Sequence, residues 1–82
     1  MSQKDLASLR SQLASLYLRV AETLDESADL ADQHAERCRG AGRAQLMEVE
    51  LENARRARAA AQRGRAAASH LKIPHVGAGS PP

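Results

Sequence analysis

Tryptophan and phenylalanine are absent from this 82-residue sequence, and Tyr17 is its only aromatic residue. Aromatic side chains usually supply the largest buried areas in a core, so any core here is built from something smaller. Alanine provides much of the 43 % apolar content, and burying a methyl group removes little surface from water. A chain of this length is marginal as a lone domain even with large core residues. The shortfall in volume implies a partner. The same lack of aromatics removes the stacking platforms on which single-stranded nucleic-acid binders depend.

Cysteine is nearly missing too. Cys38 stands alone, which excludes an internal disulfide. No run of about 18 apolar residues is present, so no membrane span is expected. The first residues include Lys4 and Asp5 rather than an apolar stretch, which predicts no secretory signal and a cytoplasmic location. Proline occurs only at Pro74, Pro81 and Pro82, leaving a long stretch free of helix breakers of that kind.

What is present is charge in a helical pattern. Charged residues make up 27 % of the chain, yet the formal net charge is only +2. That balance describes a mixed surface rather than a nucleic-acid footprint. From Ser2 to Arg39 nothing interrupts a helix, and Ser2 followed by Asp5 supplies a start signal. Gly40-Ala41-Gly42 then provides a stop, with Arg37 and Arg39 placed for the negative end of the dipole. A second helix is expected from Arg43 to Lys72, ended by Pro74. The fold class expected is all-α: an antiparallel hairpin of coiled-coil type over residues 1–73, with helices at about 2–39 and 43–72, a turn at 40–42, and a disordered tail over 74–82. A helix running unbroken through both turn glycines is the structural alternative, because two glycines cost only about 2 kcal/mol relative to alanine.

The first helix carries a heptad pattern. Leu6, Leu13, Val20 and Ser27 occupy a; Leu9, Leu16, Thr23 and Leu30 occupy d; Tyr17, Leu24, Ala31 and Cys38 occupy e. In the second helix Met47, Ala54, Ala61 and Ala68 fall at a, Glu50, Ala57, Gly64 and Leu71 at d, and Leu46, Asn53, Ala60 and Ala67 at g. Folding about the glycines places Leu13 and Leu16 opposite Ala68, Val20 opposite Ala61, and Leu24 near Ala57 and Arg58, so that large side chains meet small ones. Leu18 is expected to point away, onto the charged face. The apolar stripes span three heptad positions on each helix, wider than a two-helix contact hides. Two hairpins joined into a four-helix bundle satisfy that width. The residues expected to carry self-association are Leu6, Leu9, Leu13, Leu16, Val20, Leu24, Met47, Ala54, Ala57, Ala61 and Ala68.

Glu22, Asp25, Glu26, Asp29, Asp32 and Glu36 form an acidic run that the heptad places opposite the seam. Arg55, Arg56, Arg58, Arg63 and Arg65 form a basic run on the second helix, with Glu52 available to Arg55 and Arg56 one turn away. Arg58 and Arg65 are expected to flank the seam, with Arg65 placed to stack on Tyr17. These five arginines are the candidate surface for a partner or an anion.

Chemistry-bearing groups are sparse. His34 and Cys38 share a helical face, with Glu48 or Glu50 within reach after folding, but no set of ligands stands at a recognised metal spacing. No serine has an adjacent base, and no phosphate-binding glycine motif follows a strand. The sequence therefore predicts no catalytic, cofactor or metal site. It predicts a non-enzymatic module that holds a protein partner through helical packing, a second copy first, or else a purely structural self-assembly unit. The alternative is a nucleic-acid or anionic-ligand binder working through the arginines.

Overall fold

The computed structural model describes residues 2–72 and consists there of two helices, α1 (Gln3–Gly40) and α2 (Ala44–Lys72), with no strand among them. The expected tail over 74–82 lies outside the described residues. Ser2 caps α1 as its spacing suggests: its Oγ accepts a hydrogen bond from the Asp5 amide at 3.1 Å. At the other end the amides of Ala41, Gly42 and Arg43 donate to the carbonyls of Arg37, Arg39 and Cys38, and Gly42 takes a left-handed φ of 73°. A residue with a Cβ is strained in that conformation. The chain therefore reverses here, and the two helices pack against each other instead of forming one rod.

The core between them contains only alanine. Ala14, Ala21, Ala28, Ala31 and Ala35 from α1 meet Ala54, Ala61 and Ala68 from α2, all between 0 and 8 % exposed. No larger described residue is buried. The spacing of seven in both runs keeps one methyl per two turns at the interface along its whole length. Small side chains let two helix backbones approach closely and exchange many weak dispersion contacts. That approach is visible at Gly64, where a Cβ would stand 3.4 Å from the backbone oxygen of Tyr17.

For α2 this is the seam its heptad indicates. Ala54, Ala61 and Ala68 are buried, and Met47, Glu50, Ala57, Gly64 and Leu71 are half-buried beside them. For α1 the expected inward face is the wrong one. The inward alanines follow the leucine positions by one residue, a rotation of about 100° on a helix. Leu13, Leu16 and Val20 are 43–48 % exposed and do not face Ala68 and Ala61. Inside the hairpin small meets small, not large on small. Leu18, expected outside, is half-buried beside Ala14 and Ala21. Leucines in the inward row would hold the axes further apart and forfeit the backbone contacts that the alanine row permits.

The same rotation moves the acids. Asp25, Asp29 and Asp32 border the seam rather than lying opposite it, and they reach across to α2. The wheel built on an inward leucine face would have left all three pointing into solvent.

Candidate interaction surface

The hairpin is a thin two-helix layer, and its two broad sides differ. One side is ionic. Arg58 Nη2 donates to Asp29 Oδ1 at 3.1 Å and to Asp32 Oδ2 at 2.6 Å, and Arg65 Nη1 donates to Asp25 Oδ2 at 2.7 Å. Arg65 thus takes a carboxylate, not Tyr17, as its partner. The hydrogen bond with Asp32 is the main cause that holds the Arg58 guanidinium above its ordinary pKa, with Asp29 adding to it. Both arginines remain substantially exposed, so these pairs orient the helices more than they stabilise them.

The other side carries the cross-hairpin polar contact of His34 Nδ1 with Glu50 Oε2 at 3.3 Å. His34 belongs to the a row of α1, so the leucine a row opens on this side. Along it lie Leu6, Leu9, Leu13, Leu16, Tyr17, Val20 and Leu30, between 38 and 50 % exposed. Leu24 is half-buried where this stripe meets the seam. On α2 the matching strip is small: Ala57, Ala60, Gly64 and Ala67, all half-buried, with exposed Leu46 at its start. The result is a ridge of large apolar side chains on α1 beside a shallow alanine and glycine shelf on α2. A contiguous apolar patch of several large side chains exceeds what scattered surface residues produce on a monomer.

The expected association residues are thereby divided. Leu6, Leu9, Leu13, Leu16 and Val20 are open to a partner. Ala54, Ala61 and Ala68 are already covered by α1, and Met47, Ala57 and Leu24 are half-covered. Periodicity finds both sets; nothing in the one-dimensional pattern says which of two adjacent heptad rows on α1 turns inward.

The five arginines are largely engaged. Besides Arg58 and Arg65, Arg55 donates to Glu52 through Nε at 3.0 Å and Nη2 at 2.7 Å, and Arg56 Nε donates to the other Glu52 oxygen at 3.1 Å. These contacts, the Arg55 bond foremost, hold the Glu52 carboxyl below the ordinary glutamate range. Arg63, exposed on the outer edge of α2, is left as the one member of the set for which no carboxylate partner is seen among the described residues. A phosphate arriving here would compete with carboxylates already in place. Among the described residues no group of three potential metal ligands is found, and no helix is long and apolar enough to cross a membrane.

No protein-family model, no curated protein and no solved structure matches this chain.

Proposed function

We propose that this chain is a non-enzymatic helix-packing module whose working surface is the open leucine ridge of α1, and that a second copy is its first partner. One observation carries the reading. Six aliphatic side chains and a tyrosine lie in heptad register on α1, between 38 and 50 % exposed, while nothing larger than alanine is buried among the described residues. Full burial of a leucine is worth about 1.5–3 kcal/mol, so the half still in contact with water represents roughly 1 kcal/mol per residue available to an added helix. Two hairpins laid ridge side to ridge side give a four-helix bundle whose ionic sides face outward. A dimer of this kind is a scaffold or a small regulator, holding or sequestering a further protein through what remains of its apolar and charged faces.

Sedimentation equilibrium of the purified chain across the micromolar range tests this, with Leu16→Asp as the disrupting variant. Leu16 is 48 % exposed, outside the alanine seam, so the hairpin itself tolerates the change. Dimers for the native chain and monomers for Leu16→Asp are expected. A native chain that stays monomeric and helical at the highest concentrations, or a dimer indifferent to Leu16→Asp, would refute the ridge as the surface of self-association.

A further inference from the structure

The charges bordering the ridge say how a second copy sits on it. Arg19 and Glu26 lie at consecutive g positions of α1, seven residues apart on one edge of the leucine stripe, and both are exposed. Neither forms an ion pair within the hairpin among the described residues. At that separation they are too far apart along the helix to pair with each other. In an antiparallel helix pair, g positions face g positions across the stripe.

We infer that two copies associate through antiparallel α1 helices about a two-fold axis near Thr23, in the register that pairs Arg19 of each copy with Glu26 of the other. This rests on the self-association proposed above and adds its orientation. Three arrangements can be compared. In a parallel, in-register pair, Arg19 faces the Leu24 position and Glu26 faces Ala31, and neither charge is answered. Antiparallel registers shifted by one heptad place Arg19 against Arg19, or Glu26 against Glu26, at the axis. In the register between them both pairs are of opposite sign, and the two-fold axis makes each contact twice. Leu13 then shares a core layer with Leu30 of the other copy, and Val20 shares one with Thr23. A further antiparallel register matches Arg19 with Asp5, but it overlaps only the first half of α1 and leaves Leu30 uncovered. Charge pairs of this kind select orientation more than they add affinity.

Charge reversal decides the matter. Arg19→Glu and Glu26→Arg are each expected to weaken the dimer roughly tenfold at low salt, and the double variant is expected to recover native affinity. Both positions are exposed, so far-UV circular dichroism should show unchanged helix content. The geometry has a second readout in a Cys38→Ser background. Thr23→Cys lies near the axis and should form a disulfide-linked dimer on mild oxidation. Ser27→Cys should not, because its counterpart is displaced by about nine residues along the helix, or roughly 13 Å. A dimer untouched by either reversal, a Glu26→Arg variant of full affinity, or equal cross-linking at both cysteine positions overturns the antiparallel register while leaving the module reading intact. A native chain that never dimerises removes both.

Discussion

Gly64 offers the sharpest test of the alanine seam. It sits inside α2, where glycine costs about 1 kcal/mol relative to alanine because the unfolded chain has more freedom to lose. A Cβ placed there would stand 3.4 Å from the Tyr17 backbone oxygen and 3.6 Å from the Ala21 Cβ. Both distances are ordinary van der Waals contacts, so a methyl group fits without moving either helix. Gly64→Ala should therefore stabilise the hairpin by about 1 kcal/mol, a rise of roughly 4–8 °C in Tm for a chain of this size. Gly64→Leu is a different case. Atoms beyond Cβ run into a contact shell already filled by Tyr17 and Ala21, and overpacking of this kind costs about 1–3 kcal/mol. That cost cancels or exceeds the gain in helix propensity. Thermal and urea unfolding followed by circular dichroism would measure both variants, at one fixed protein concentration because association shifts apparent stability. If Gly64→Ala destabilises the chain, the backbones are closer than contact allows. If Gly64→Leu is as stabilising as alanine, α1 does not cover this position, and the close-approach argument fails.

Other expectations follow from the same geometry. Ala28→Leu places a larger side chain at a position with no exposure, and should lower stability by about 1–3 kcal/mol, read as a shift in the urea midpoint; a neutral result would show that the seam can open freely. Arg43 precedes α2, accepts the Met47 amide on its carbonyl at 3.0 Å, and is followed by a first turn without an acid. Arg43→Asp should stabilise the helix start by about 0.5–2 kcal/mol through capping and the dipole, and a fall in Tm would count against that reading. For Glu52 the depressed pKa fixes the sign of a pH effect: the native state binds this proton less readily than the unfolded chain, so the contribution is present above the unfolded glutamate pKa and is lost as pH falls through the lower folded value. Carboxyl NMR titration should find Glu52 below the ordinary glutamate value, and Arg55→Ala should bring it back toward that value. Arg58→Ala should lower Tm only slightly, with the difference vanishing near 1 M salt, where the Debye length is about 3 Å.

Much of this hairpin is legible one residue at a time. The start of α1 follows from Ser2 and Asp5, and its end from Gly40 and Gly42, because capping and left-handed turns depend on residues within a few positions of each other. The inward row of α2 is equally readable, since its apolar stripe is made of small residues at every width and the choice of face changes little. The pairing of Glu52 with Arg55 and Arg56 is a matter of spacing along one helix. The inward face of α1 is of another kind. Two rows compete there, Leu6, Leu13 and Val20 against Ala14, Ala21 and Ala28, with identical period and a phase difference of one residue. Hydrophobicity favours the leucines.

Local chemistry, then, settled the helices, the turn, the α2 seam and the presence of a leucine stripe. Which row of α1 meets α2 was decided only when both helices were in place. Two alanine-lined backbones can come close enough to touch along their length, and that arrangement also brings Asp25, Asp29 and Asp32 to Arg58 and Arg65. Both gains depend on distances between residues far apart in the chain, and both leave the leucines facing outward.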